Sequence, residues 1–191
     1  MENSIIRLFS VATRLHHDME ADQQLHHDVE AAFQTIVAAF RSENRVLFCG
    51  NGGSAADAQH IASELSGRFK KDRDPLDAEA LHVNSSYMTA VANDYSFDNV
   101  YERLVRAKGR KNDVLVAIST SGNSGNILRA VAAAKAKGLF VVGLSGKSGG
   151  KLKALCDICI CIPAEDTPRV QEGHILVGHI LCELIENELF A

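Results

Sequence analysis

At 191 residues, 46% hydrophobic and 23% charged, the chain has the composition of a globular protein long enough to bury a core as one domain, residues 1–191. Its formal charge of −4 argues against a general nucleic-acid or anionic-membrane binder, which would show a basic patch or excess. No apolar run approaches a membrane span, and the start MENSIIRLFS lacks a basic region followed by a sustained apolar stretch, so a cytoplasmic protein is expected.

The first forty-odd residues read as two helices, a helical extension over about 1–42. Ile5, Ile6, Phe9 and Leu15 begin one apolar stripe, and Val29, Phe33, Ile36, Val37 and Phe40 form another at helical spacing. LHHD occurs twice, at Leu15 and Leu25. Adjacent histidines on a helix point about 100° apart, so neither pair converges on one ion, and a solvated or subunit-facing surface is the better reading. The pattern then changes to strand, glycine, helix. RVLFCG is a short buried strand. A helix follows, with Ser54 as its expected N-cap, Asp57 three residues on as in a capping box, and Gly67 closing it. EALHVN reads as a strand, 85–91 and 97–108 as helices, DVLVAIS as a strand, and NILRAVAAAKAK as a helix stopped by Gly138. LFVVGLS and DICICIP are further strands. From Thr167, with Pro168 at the first helical position, a last helix runs almost to the end. Apolar strands alternating with helices predict a parallel sheet covered on both faces, an α/β three-layer αβα sandwich. Cys156 and Cys159 form a C-x-x-C, but no second pair completes a metal tetrad, and the alternation of DICICIP makes these buried structural cysteines.

In such sheets ligands sit beyond the carboxyl ends of strands. Two of those ends are rich in small polar residues, GNGGS at 50–54 and STSGNS at 119–124, and both lead into helix N-termini, where free amides and the helix dipole favour an anion. Hydroxyls of Ser119, Thr120, Ser121 and Ser124, with backbone amides, can cradle one phosphate without a lysine, which suits a small phosphomonoester. A capped, serine-rich turn is the plainer alternative. GNGGSA fits the weaker dinucleotide fingerprint but lacks the acid expected about 20 residues on, and GLSGKS ends like a P-loop without its first glycine. Neither nucleotide motif is complete.

QHIASEL places His60 and Glu64 on one helical face, able to engage one substrate or one metal. The last helix adds Gln171, His174 and His179 to a mostly apolar segment. His174 fits a satisfied core histidine. Gln171 and His179 lie about 12 Å apart along the axis, so they share an ion only at the limit of reach or with help from a second chain.

The motifs CGNGGSAADAQHIASELSGR, ANDY, ISTSGNSGN, GLSGKSGG and RVQEGHILVGHILCELIE together resemble the phosphosugar isomerase (SIS) domain family, over almost the whole chain. The resemblance implies a flavodoxin-like αβα fold with the long C-terminal helix at a subunit interface, and a homotetramer. Within the family it points to an aldose–ketose isomerase converting sedoheptulose 7-phosphate to D-glycero-D-manno-heptose 7-phosphate through an enediol, the first step toward bacterial heptose precursors. It implies that Asn51, Gly52, Gly53, Asn93 and Asp94 contact the substrate and that Ser119, Thr120, Ser121 and Ser124 hold its phosphate. It also implies that His60, Glu64, Gln171 and His179 form a catalytic and zinc-binding set, with one Zn2+ per subunit. Glu64 and Gln171 would touch substrate as well. Moving a proton between C1 and C2 needs a base and an acid partner, for which Glu64 and His179 are the candidates. Other SIS-like readings are a non-catalytic regulatory protein similar to the DnaA initiator-associating protein, which can lose that pair, or an isomerase of another sugar phosphate. The expected ligand is in each case a small sugar phosphate.

Overall fold

The computed structural model describes residues 2–190. It opens with two long helices, α1 (Glu2–Ala21) and α2 (Gln23–Arg41). Asp22 separates them by capping α2, its carboxylate accepting from the Leu25 N–H at 3.0 Å. Then follow β1 (Val46–Cys49), α3 (Gly53–Ser66), β2 (Ala78–Ala80), α4 (Ser85–Asp94) and, after a 3-10 turn at Phe97–Asn99, α5 (Val100–Lys108). The chain continues through β3 (Val114–Ser119), α6 (Gly125–Lys137), β4 (Phe140–Ser145), α7 (Gly150–Lys153), β5 (Ile158–Cys161) and α8 (Thr167–Leu189).

The five strands form one parallel sheet in the order β2–β1–β3–β4–β5. Strand alternation sorts the core into two layers. Val46, Phe48, Val114, Val116 and Ile118 face α2, α3 and α8, whereas Leu47, Cys49, Leu115 and Ala117 face α5 and α6. The chain therefore leaves β1 toward one face and β3 toward the other. These adjacent strands are the point where the winding reverses, and the crevice above their carboxyl ends is where ligands of such sheets bind.

Several local expectations are corrected. Ser54 does not cap α3. The helix begins two residues earlier than that cap implies, with Gly52 (φ +55°) as its cap and no side-chain bond there, so the capping box with Asp57 does not form. The strand expected across EALHVN stops at Ala80, and Asn84 instead caps α4, accepting from the Tyr87 N–H at 3.0 Å. Pro168 is the second helical residue, since Asp166 is the cap. The short α7 lay too close to a glycine-rich loop to show a helical period. Gly138 does end α6 in the left-handed conformation (φ +77°). No helix among the described residues is long and apolar enough to cross a membrane. The cysteines are free, and burial raises the Cys49 and Cys182 thiols to about 12, leaving them protonated and inert.

Candidate active site

The two glycine loops meet at the reversal point and are tied to each other. Asn51 Nδ2 donates to Asn126 Oδ1 at 2.9 Å, and Asn126 Nδ2 donates back to Asn51 Oδ1 at 2.8 Å. The Asn126 oxygen also accepts from the Ile127 N–H, so this side chain, 2% exposed, makes three hydrogen bonds. Below the first loop, the buried Tyr101 donates its phenol proton to the Gly50 carbonyl. Neither Asn126 nor Tyr101 stood out in the sequence. Asn126 lay inside a polar run where every residue had equal claim, and Tyr101 sits in an ordinary amphipathic helix.

The second loop is held open from beneath. Ser145 Oγ donates to the Ser119 carbonyl at 2.9 Å, Gly146 N to Thr120 O at 3.0 Å, and Leu152 N to Gly122 O at 3.0 Å. Gly122 sits at φ +65°, and a Cβ there would lie 2.0 Å from the Gly149 carbonyl oxygen, so no other residue fits. Ser119 and Ser124 have their hydroxyls 3.0 Å apart, Thr120 is half-buried beside them, and Ser121 is exposed. These hydroxyls stand at the start of α6, whose first amides have no intrahelical acceptor. The arrangement is a set of small donors at the N-terminus of a 13-residue helix.

The groups suited to proton transfer gather elsewhere, along α3 and α8. These helices run side by side in the same direction: a Cβ on Gly53 would meet Gln171 Nε2 at 2.5 Å, and one on Gly178 would meet Ile61 Cδ1 at 2.5 Å. The contact at Gly178 brings His179 Nε2 to 3.0 Å from His60 Nε2, while His60 Nε2 stands 3.3 Å from Glu64 Oε1. One ligand atom from each of the three lies within 4.8 Å of the others. Nitrogen and oxygen donors about 3 Å apart match the edges of a tetrahedral zinc site with bonds near 2 Å. The triad therefore fits a metal ion. The Gln171 side chain lies against Gly53, about two helical turns back from His179 toward the loops. The Phe69 ring stacks on the His179 imidazole, 5.9 Å between centroids and 21° between planes.

Asn93 and Asp94 end α4 on the exposed surface, where Asn93 Nδ2 donates to Asp94 Oδ1 at 2.9 Å. Neither bonds to the glycine loops among the described residues. Gly52 faces open space. Asp57, one turn before His60, has a buried carboxylate oxygen without a partner, and burial raises its carboxyl to about 6 against an opposing pull from His60. His174 is a core residue: its Nε2–H donates to the Ser145 carbonyl at 3.2 Å, its Nδ1 has no partner, and burial lowers it to about 4.

The model of the SIS domain family matches residues 9–146. The chain is similar to the phosphoheptose isomerase of Rhodospirillum rubrum, 55% identical over 154 residues that cover 81% of this chain and 82% of that protein. It is 46% identical over 190 residues to the phosphoheptose isomerase of Mycobacterium bovis, covering 100% of this chain and 95% of the relative. Among solved structures, it superposes on phosphoheptose isomerase from Neisseria gonorrhoeae with a TM-score of 0.91 at 39% identity, covering 97% of this chain and 98% of that one. The enzyme from Francisella tularensis gives 0.93 at 34% identity, covering 97% of each chain.

Proposed function

This chain belongs to the SIS-domain family and, within it, to the phosphoheptose isomerases, and from that premise and the geometry of its site we infer that it is an isomerase interconverting sedoheptulose 7-phosphate and D-glycero-D-manno-heptose 7-phosphate. The observation that carries the reading is the juxtaposition of Glu64 and His60 on α3, which starts at the first ligand loop, with His179 on α8, which packs alongside it. His60 lies seven residues beyond Gly53 along α3, an axial rise of about 10 Å.

In this reading the phosphate is taken by the hydroxyls of Ser119, Thr120, Ser121 and Ser124 and the start of α6. Asn51, Gly52 and Gly53 approach the sugar at the other loop, with Gln171 beside Gly53 and Asn93 and Asp94 at the rim. Glu64 removes the proton from the carbon next to the carbonyl. His179 delivers or accepts the proton at oxygen, which moves the carbonyl between C2 and C1 through an enediol. His60, Glu64 and His179 are the residues that would hold a Zn2+ ion. When bound, such an ion supplies Lewis-acid stabilisation of the negative charge that develops on oxygen. The resemblance gives Gln171 both roles, metal ligand and substrate contact, and its place beside Gly53 supports the second.

The homotetramer belongs to the same proposal. Helix α1 leaves Ile5, Ile6, Leu8, Phe9 and Val11 exposed, Phe9 by 72%, on an apolar face that a neighbouring subunit would cover. A phosphorylated, water-borne substrate fits a cytoplasmic enzyme acting early in heptose-precursor synthesis.

The direct test is to incubate the protein with sedoheptulose 7-phosphate and follow the aldose product, with and without a chelator. Glu64→Gln is expected to abolish turnover while leaving the circular-dichroism spectrum and melting curve unchanged. Undiminished turnover in that variant would remove Glu64 from the mechanism, and no product from the wild type would overturn the assignment.

A further inference from the structure

The segment that leaves α3 folds back on a charge buried in α8. Glu186 is 2% exposed, yet it carries four hydrogen bonds. Its Oε1 accepts from the Lys70 and Lys71 N–H groups at 2.9 and 2.8 Å, and its Oε2 accepts from the Phe69 N–H at 3.2 Å and from Arg73 Nε at 3.1 Å. Desolvation pushes this carboxyl up, but the three amides and Arg73 outweigh it and hold it below its ordinary range, so Glu186 is charged at neutral pH. The Arg73 side chain is equally buried. It donates to the Glu64 carbonyl at 2.8 Å, to the Leu65 carbonyl at 2.9 Å and to the Asp74 carbonyl at 3.0 Å.

A buried ion pair is a weak device for stability, because desolvation offsets most of the attraction. It is a strong device for fixing geometry, since every one of its bonds is directional. Two of these bonds bear on the triad. Arg73 grips the backbone of Glu64 itself. Glu186 anchors the backbone of Phe69, whose ring stands nearly parallel to the imidazole of His179, 5.9 Å away between centroids. The side chain of Phe69 packs against the main core cluster, so the ring has little freedom to leave that imidazole.

We propose that Arg73, Glu186 and Phe69 are positioning residues: the buried pair locks the loop between α3 and β2 so that Phe69 holds the His179 ring, and Arg73 the Glu64 backbone, in the arrangement the triad needs. This assignment rests on the isomerase reading for its kinetic consequence, but its geometric content concerns only whether the triad is held.

Phe69→Leu keeps apolar bulk and removes the flat face, whereas Phe69→Tyr keeps the face. Zn2+ affinity, measured by competition with a chromophoric chelator, is expected to fall about tenfold in Phe69→Leu, with kcat falling by a similar factor, KM within about twofold, and the melting curve little changed. Phe69→Tyr should restore both. Arg73→Lys, which keeps the charge but loses the fork, should show the same split. Wild-type zinc affinity and kcat in both Phe69→Leu and Arg73→Lys, with only the melting temperature altered, would overturn the proposal. A wild type that does not isomerise the heptulose would sink the isomerase reading alone, and the zinc titration would still decide this one.

Discussion

Asn51 and Asn126, 75 residues apart in sequence, exchange a reciprocal pair of amide hydrogen bonds across the point where the sheet's winding reverses. Each side chain fixes the other loop, so the two halves of the crevice are spaced by one amide pair. Asn126→Ala removes both bonds and leaves the Ile127 N–H without its acceptor. The expected cost is about 1–3 kcal/mol in urea denaturation, together with a raised KM as the loops drift apart. Unchanged KM and stability would show that the pair does not set the spacing.

The second loop makes a narrower prediction. Ser124 shares its hydroxyl with Ser119, at the mouth of α6. Ser124→Ala removes one donor from the proposed phosphate cradle and leaves the fold intact, because Ser124 caps α6 through its backbone and not its side chain. KM for the sugar phosphate should rise about tenfold, the equivalent of about 1.4 kcal/mol, with kcat largely kept. Inhibition by inorganic phosphate should weaken by the same factor. A fall in kcat at constant KM would place Ser124 in the chemistry and not in the cradle.

The α3–α8 contact can be tested at its tightest point. Gly178 is buried against Ile61, itself 3% exposed, and a methyl group there would lie 2.5 Å from Ile61 Cδ1. Ile61 is buried, so Gly178→Ala must displace its Cγ1 and Cδ1 within the core or widen the helix spacing. We expect a loss of about 1–3 kcal/mol, reduced by the better helix propensity of alanine, and a loss of activity out of proportion to it, because the next residue is His179. Retained activity at lowered stability would show that the triad tolerates wider spacing.

How far the sequence led is clearest from which residues paired locally. His60 and Glu64 share one helix face at a spacing that the sequence prints directly, and the two glycine loops announced themselves by composition and by their places after apolar strands. The layered sheet followed from the alternation of strands and helices. What stayed hidden were pairings between distant residues. Neither Glu186 nor Arg73 carries a local signal that couples them across 113 positions. The Ser54 capping box failed because Gly52, at positive φ, starts the helix two residues early, which hydroxyl-and-acid spacing alone does not reveal. Gln171 and His179 lie on one helix, but its neighbour α3 separates their partners, placing one at the loop and the other at the triad.

The last prediction concerns pH and the core of α8. His174 is fully buried, and desolvation lowers it from 6.5 to about 4, so the folded protein holds it neutral. The unfolded chain binds a proton at this position below about pH 6.5, and the folded chain does so only below about 4. Its contribution is therefore complete above pH 6.5 and is lost as the pH falls through that window. The drop amounts to about 3 kcal/mol, at about 1.4 kcal/mol per unit. Asp57, raised to about 6, works in the opposite sense over part of the same range, so wild-type stability alone understates the effect. The comparison that isolates it is His174→Leu, which cannot take up the proton. The Ser145 carbonyl keeps its bond from the Ile162 N–H at 2.9 Å, so the substitution leaves no orphaned acceptor there. Urea unfolding at pH 7.5 and pH 4.5 should show the wild type losing stability relative to the variant, by up to about 3 kcal/mol. Parallel pH dependence in the two proteins would mean that His174 is already charged in the fold.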